Sequence, residues 1–204
     1  MIVKNMNYKE IYIEAKKDFQ DVVNFATKKA SSYEREIKKS KIFPLRFKPI
    51  KYISKRFNEY YILFQANSKK DWKNNNILIT ILCVYESERG LNAIMFYEEQ
   101  NKCAIYSSHF FSRYRSRYLK DKVLSTEDVI LHYFKYNTAN YGKIVDDYQH
   151  FTATCEHGVC FGQVIENENI RLFKTFVGFD MLFDSQDEYR NEFYQLLQTN
   201  GNKT

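Results

Sequence analysis

Residues 7–40 contain neither proline nor glycine, and their apolar side chains recur at helical spacing. Because both helix-breaking residues are absent over so long a stretch, the pattern favours helical structure at the start of the chain. It predicts one helix to about Ala30 and a second over about Ser31 to Ser40. Pro44 and Pro49 then mark the exit from the helical region.

Apolar runs rich in β-branched and aromatic residues follow, and polar turn residues separate them. Such runs are typical of buried or half-buried strands. They predict strands in the second half of 51–66, over 77–86, over 91–97 and over 103–107. The apolar spacing becomes helical again over 109–119, and Ser125 followed by Asp128 is the pattern that opens another helix.

The last third of the chain alternates between polar and apolar side chains. This alternation predicts an antiparallel meander over 147–156, 159–166 and 170–177, and a closing helix over 185–198. The predicted fold class is therefore α+β, with N-terminal helices, antiparallel strands, central helices, a C-terminal antiparallel β-meander and a closing helix. We expect residues 1–45 to form a basic helical extension and residues 46–204 to form a single α+β domain.

Positive charge is concentrated towards the N-terminus. Residues 1–80 carry 18 Lys and Arg against 8 Asp and Glu, a net charge of +10, whereas the rest carries 13 against 17, a net charge of −4. No acid occurs between Glu36 and Glu59, and aromatic residues are interleaved with the cations there. A second window without acids runs over residues 100–120.

Cations neutralise phosphates and aromatic rings stack on bases, so these windows suit a nucleic acid. The alternative is a solvated basic face with core aromatics between the cations. The residues predicted to bind nucleic acid are Lys38, Lys39, Lys41, Arg46, Lys48, Lys51, Lys55, Arg56 and Arg115.

The second window contains the sharpest candidate for catalysis. On a helix, His109, Arg113 and Arg117 stand four residues apart and share one face. Histidine can move a proton near neutral pH, and arginine can stabilise a phosphorane, so this face could act on a phosphodiester. The alternative is a basic solvent-facing stripe.

The predicted meander offers a polar strand face as a second candidate. A turn at His157 and Gly158 would place Thr154 opposite Phe161, and a three-residue turn over 167–169 would bring Arg171 and Thr175 to the same face. The alternative is an ordinary solvated sheet face. The members of this predicted face are Tyr148, His150, Thr152, Thr154, Glu156, Arg171 and Thr175.

Four residues invite a zinc interpretation: His150, Cys155, His157 and Cys160. Their spacing is not that of a standard zinc site, so we predict no metal and instead a buried pair of thiols, Cys155 and Cys160. No glycine-rich phosphate loop, Gly-x-Ser-x-Gly or His-Glu-x-x-His occurs, which disfavours an ATP-driven enzyme or a metalloprotease, and no cofactor is predicted.

No apolar run is long enough for a membrane helix, and no apolar leader follows Met1. Four cysteines in a chain of 204 residues are not a disulfide scaffold. We therefore expect a cytoplasmic protein with reduced thiols and no membrane partner.

Residues 103–181 resemble the small RNase toxins of the barnase–EndoU–colicin–RelE group. The resemblance rests on His109-x-x-x-Arg113-x-x-x-Arg117, a following helix, and a meander that ends in Lys174-Thr175-Phe176-Val177. It implies metal-independent transesterification of RNA, with His109 as acid or base, Arg113 and Arg117 as phosphate stabilisers, and Thr175 as an auxiliary group. The basic region 1–60 and the strands of 57–107 have no counterpart in that group.

We thus expect a metal-independent endoribonuclease of the toxin or defence-effector type, with RNA or another nucleic acid and an antitoxin or other protein as partners. Two alternatives stay open. A nucleic-acid-binding protein without turnover would use the same basic windows and show strong salt dependence. A protein-interaction module would have no affinity for nucleic acid at physiological salt.

Overall fold

The structure, a computed structural model, describes residues 1–73, 76–97, 102–121, 123–137, 141–145, 150–165, 170–182, 191 and 194–195. It divides the chain into two compact units, Met1–Cys103 and Ala104–Thr204. Residues 1–45 lie inside the first unit together with the strands that follow them, whereas the sequence suggested an extension that ends at residue 45. Helices and strands occur in both units, and the α+β class is confirmed.

The first unit begins with helix α1, Tyr8–Ala30. Asn7 caps it in a capping box with Glu10: each side chain accepts a hydrogen bond from the backbone N–H of the other residue, at 3.0 and 2.8 Å. The helix ends at the predicted residue. The second predicted helix instead comprises a 3-10 turn, Ser31–Tyr33, and the short helix α2, Glu34–Lys39.

The strands of the first unit form an antiparallel sheet against which α1 packs. Strand β3 pairs with β1 and β2 on one side and with β4 on the other, and β4 pairs with β5. The prediction for 51–66 is correct in its second half, and β2 adds a strand in the first half. The bounds are β1 Leu45–Arg46, β2 Ile50–Ile53, β3 Glu59–Ala66, helix α3 Lys70–Lys73, β4 Leu78–Ser87 and β5 Gly90–Phe96.

The helices of the second unit follow strand β6, Cys103–Tyr106. Helix α4, Ser108–Tyr114, continues into a π-helical turn, Arg115–Leu119, which ends at Lys120 with a left-handed backbone. The helix predicted over 109–119 is therefore α-helical only in its first half. Helix α5, Thr126–Tyr136, begins where the sequence predicts, because the Ser125 hydroxyl accepts the N–H of Asp128 at 3.1 Å.

The sheet of the second unit has the order β6-β10-β9-β8-β7. The last three strands of the chain match the predicted meander, but β7 was missed. Residues 147–149, where the first meander strand was predicted to begin, lie outside the described residues. The bounds are β7 Tyr141–Val145, β8 His150–Cys155, β9 Gly158–Ile165 and β10 Ile170–Gly178.

Two features of this meander correct the predicted register. Cys155 pairs with Gly158, so the turn between β8 and β9 is formed by Glu156 and His157, and Thr152 rather than Thr154 lies opposite Phe161. Gly158 begins β9, and a Cβ there would collide with the Val177 carbonyl oxygen, so this close strand contact requires a glycine.

The core of the second unit is largely aromatic. Tyr106 stacks on Phe173 of β10 with ring centroids 4.6 Å apart, and edge-to-face contacts link it to Phe110 of α4 and Phe134 of α5. Such pairs are favourable because the positive ring edge meets the negative ring face. This packing fixes α4 and α5 on one face of the sheet.

Most of the predicted closing helix, 185–198, lies outside the described residues. The three residues described there, Asn191, Tyr194 and Gln195, are helical. Within the described part of the chain, no helix is both long enough and apolar enough to cross a bilayer.

Candidate acid–base site

The hydroxyl of Tyr114 lies between the imidazole rings of two histidines in the second unit. It is 3.0 Å from Nδ1 of His132 and 2.8 Å from Nδ1 of His157. Tyr114 comes from α4, His132 from α5, and His157 from the turn between β8 and β9. Tyr114 is fully buried, and both imidazoles are half-buried, so the cluster extends from the core to partly accessible rings.

Asn137, the C-terminal cap of α5, determines the tautomer of His157. Asn137 Oδ1 accepts the backbone N–H of His157 at 3.0 Å, and Nδ2 donates to the Tyr133 carbonyl oxygen at 2.9 Å, which fixes the orientation of the amide. Nδ2 also lies 3.0 Å from Nδ1 of His157. Because an amide nitrogen only donates, Nδ1 must accept, and the proton of the neutral ring is on Nε2.

The same reasoning assigns the opposite tautomer to His132. Since Nδ1 of His157 carries no proton, the Tyr114 hydroxyl donates to it and shares its single lone pair with Asn137 Nδ2. The phenolic oxygen then accepts from Nδ1 of His132. His132 therefore has its proton on Nδ1 and a free lone pair on Nε2. Nε2 of His132 can therefore act as a base, and Nε2 of His157 carries a proton that it can donate in a hydrogen bond.

Burial keeps both rings neutral. Burial, followed by the neighbouring His132, lowers the pKa of His157 to about 4. Burial, followed by the charge of Lys135, also lowers the pKa of His132 below its ordinary value. Burial raises the pKa of Tyr114, which keeps its hydroxyl protonated. His132, Tyr114 and His157 thus form a chain of hydrogen bonds, here called the relay, that carries no net charge at neutral pH.

Tyrosine rings enclose the two imidazoles. Tyr118, from the π-helical turn, stacks on His157 with ring centroids 3.9 Å apart and planes at 13°. Tyr136 lies 4.6 Å from His132 between ring centroids. Tyr118 is exposed at its outer edge, with 39 % of its surface accessible. These rings shield the histidines from water and leave an aromatic surface beside them.

The histidine predicted as acid or base, His109, is placed differently. It is exposed at the start of α4, and its Nε2 accepts a hydrogen bond from Nε of Arg113 at 3.2 Å. The prediction that His109 and Arg113 share one helix face is confirmed. In the neutral ring this contact places the proton on Nδ1 and pairs the Nε2 lone pair with Arg113.

Arg117 is turned towards the sheet by the π-helical turn. Its guanidinium donates to the Phe176 carbonyl oxygen of β10 at 2.6 Å. Burial lowers its pKa, and the nearby charge of Arg113 lowers it further. Arg113 and Arg117 are therefore close in space, and Arg117 lies beside Tyr118, whose ring covers His157. The arginines of the predicted triad thus lie in the same unit as the Tyr114 cluster.

Thr175 does not lie with Arg113, Arg117 and the Tyr114 cluster. It pairs with Phe161, which pairs with Thr152, whereas Phe176 contacts Phe110 and Tyr114 of α4. Neighbouring residues of a strand face opposite sides of the sheet, so Thr175 faces away from α4. A bulge between Phe173 and Thr175 also shifts Arg171 by one position, opposite Val164 rather than Ile165.

The polar strand face of the meander is partly buried, whereas the alternative considered for it was an ordinary solvated face. Thr152 and Thr154 are both buried, and His150 is exposed at the end of β8. Cys155 and Cys160 form the predicted buried thiol pair, with their sulfur atoms 3.8 Å apart. Among the described residues, no group of three or more His, Cys, Asp or Glu is arranged to hold a metal ion.

Several cations of the basic window are paired with acids of the first unit. Lys38 pairs with Glu34, and Lys51 pairs with Glu59 at 2.8 Å, a contact that raises the pKa of Lys51. Arg56 lies 3.8 Å from Glu14 and 3.7 Å from Asp18. Of the other predicted cations of this window, Arg46 is half-buried. The exposed ones are Lys39, Lys41, Lys48 and Lys55.

Most aromatic residues between these cations are buried or half-buried in the first unit. Phe47 is buried and stacks on Tyr33 at 3.9 Å, and Tyr52 lies 4.7 Å from Phe25 between ring centroids. Phe57 is the exception, since 74 % of its surface is exposed. In the second window, Arg115 donates to the hydroxyl of Thr126 at 3.3 Å and is half-buried.

Sequence reasoning missed His132, Tyr114 and Asn137 as site residues, and it considered His157 only as a turn residue or zinc ligand. One signal in the sequence pointed to them: all four histidines fall between residues 109 and 157. Tyr114, His132 and His157 come together only when α4, α5 and the turn between β8 and β9 pack against one another. The spacing of residues along the sequence does not predict this packing.

Comparison of the chain with family models, with curated proteins and with solved structures finds no match.

Proposed function

We propose that this chain is a metal-independent endoribonuclease whose acid–base residues are His132 and His157. The observation that carries the proposal is the Tyr114 hydroxyl, which bridges Nδ1 of both rings and gives them opposite tautomers. A base and an N–H donor held side by side are the two functions that RNA transesterification requires without a metal.

His132 acts first in the proposed reaction. Its pKa lies below the ordinary value, so its Nε2 is unprotonated at neutral pH and can accept the proton of a ribose 2′-hydroxyl. The 2′-oxygen attacks phosphorus, and the bond to the 5′-oxygen breaks. The resulting imidazolium of His132 returns the proton to the leaving 5′-oxygen, which restores the enzyme.

His157 and the arginines stabilise the charge that develops on the phosphate. With a pKa of about 4, His157 stays neutral and donates from Nε2, as a neutral imidazole electrophile does. Arg113 is exposed and Arg117 half-buried in the same unit. A guanidinium suits this role because its N–H groups match the oxygens of a phosphate.

The test is cleavage of labelled structured and single-stranded RNA in the presence of EDTA. We expect cleavage by the wild type and a loss of at least about a hundredfold in His132→Gln, the typical contribution of a positioned general base. His150→Gln is the matched control, because His150 is exposed and lies outside the cluster. Cleavage that survives in His132→Gln but is lost in His109→Ala would return the base to His109.

Nucleic-acid binding without turnover is the second candidate. It is favoured by the exposed lysines of the basic window and by the complete pairing of Nδ1 of both histidines inside the cluster. In that case the cluster stabilises the fold, the protein binds RNA with a strong dependence on salt, and no product forms in the cleavage assay.

A further inference from the structure

The turn between β2 and β3 holds an aromatic ring out into solvent. Phe57 has 74 % of its surface exposed, and its φ is 60°, in the left-handed region. A bulky residue rarely adopts this backbone conformation, because its Cβ crowds the following carbonyl. A strained residue persists only where its surroundings enforce it, and such residues cluster at functional sites.

A buried network enforces the conformation of this turn. Asp18 of α1 accepts hydrogen bonds from the Ser54 hydroxyl and from Nδ2 of Asn58, both at 2.7 Å. All three residues are buried. The Ser54 hydroxyl also accepts the N–H groups of Arg56 and Asn58 at 3.2 and 3.1 Å. The ends of the turn are therefore fixed to α1, while its tip is presented to solvent.

The surroundings of the exposed ring are basic. Lys55 is exposed and forms no ion pair with the residues that the structure describes, and Arg56 keeps 47 % of its side chain exposed beside Glu14 and Asp18. The turn itself, 54–58, carries two cations and no acid. An exposed aromatic ring on a fixed turn, with cations on the adjacent residues, is complementary to an unpaired base flanked by phosphates.

We propose that Phe57 is a base-stacking residue that binds single-stranded RNA through an unpaired nucleobase, with Lys55 and Arg56 against the flanking phosphates. The inference rests on the proposed RNA substrate but does not require the cleavage step. A rigid turn suits this role because the backbone that carries the ring is already fixed, so less conformational entropy is lost on binding. Every base has a π-face, so the contact favours single strands without reading a sequence.

The test measures the affinity of the full chain for a labelled 2′-O-methyl RNA single strand, which lacks the hydroxyl needed for cleavage. We expect Phe57→Ala to weaken binding about tenfold, within the range measured for one base–aromatic stack, and Phe57→Trp to retain the wild-type affinity. Ile42→Ala is the matched control, because Ile42 is 80 % exposed in the same basic window but is aliphatic. A blunt duplex of the same sequence should not distinguish these variants.

Three outcomes would overturn the inference. Equal affinities of Phe57→Ala and the wild type exclude stacking, and full affinity in Phe57→Leu shows an apolar contact instead. Phe57-dependent sedimentation with phosphatidylserine vesicles, without binding to the oligonucleotide, identifies a membrane surface as the ligand. Phe57-dependent binding without any cleavage of natural RNA supports this inference and removes only the proposed activity, so the two failures are distinguishable.

Discussion

Replacing Tyr114 by phenylalanine removes one oxygen atom and leaves a fully buried ring in place. The variant loses two hydrogen bonds, of 3.0 and 2.8 Å, to the imidazoles of His132 and His157. A net value of about 0.5–1.5 kcal/mol for each gives a loss of about 2 kcal/mol in the free energy of unfolding. The loss concerns His132 more than His157, because the Nδ1 proton of His132 loses its acceptor whereas Nδ1 of His157 keeps Asn137 as a donor.

Native-state hydrogen exchange of α5 amides is the appropriate assay, since it reports the stability of the second unit separately from that of the first. Tyr118→Phe is the control, because Tyr118 is 39 % exposed and its hydroxyl bonds no described residue. We expect a change below about 0.5 kcal/mol in that variant. Equal exchange rates in Tyr114→Phe and the wild type would refute the relay on which the site depends.

Three further predictions concern stability. The folded pKa of His157, about 4, lies below the ordinary value, so the folded state binds fewer protons than the unfolded state. His157 therefore leaves stability complete above about pH 6.5 and lowers it by about 1.5 kcal/mol towards pH 4 after allowance for solvent screening. His157→Gln should remove this contribution in urea titrations at several pH values and leave that of His132, whose pKa is also lowered. Gly158→Ala drives a methyl group into the Val177 carbonyl oxygen and should cost about 3 kcal/mol or more in urea unfolding, whereas an unchanged midpoint would contradict the close strand contact. Asp18→Ala leaves the Ser54 hydroxyl and the Asn58 amide unpaired and should lower the free energy of unfolding by about 3 kcal/mol, against less than about 0.5 kcal/mol for the exposed Asp21→Ala on the same helix.

Elements that depend on local chemistry could be predicted from the sequence. Residues 7–40 lack helix breakers, and α1 ends at Ala30 as expected. Ser125 and Asp128 identify the start of α5, because a hydroxyl three residues before a free backbone N–H is a local device. The turn at 54–58 could not be found in this way, since its geometry requires Asp18, which is distant in sequence.

Only part of the candidate site could be predicted from the sequence in this way. Helical spacing correctly placed His109 beside Arg113, but it failed at Arg117 because the chain widens into a π-helical turn after Tyr114. The bulge beside Thr175 likewise changes the register of Arg171. His132, Tyr114 and His157 meet only through tertiary packing.

The central claim, that Tyr114 holds His132 and His157 as neutral rings with opposite tautomers, is tested most directly by nitrogen NMR of the histidine side chains at pH 7. The account predicts that His132 is protonated on Nδ1 and His157 on Nε2, and that Tyr114→Phe removes the fixed tautomer of His132. The same tautomer in both rings, or a protonated His157 at this pH, would contradict the relay and the activity proposed from it.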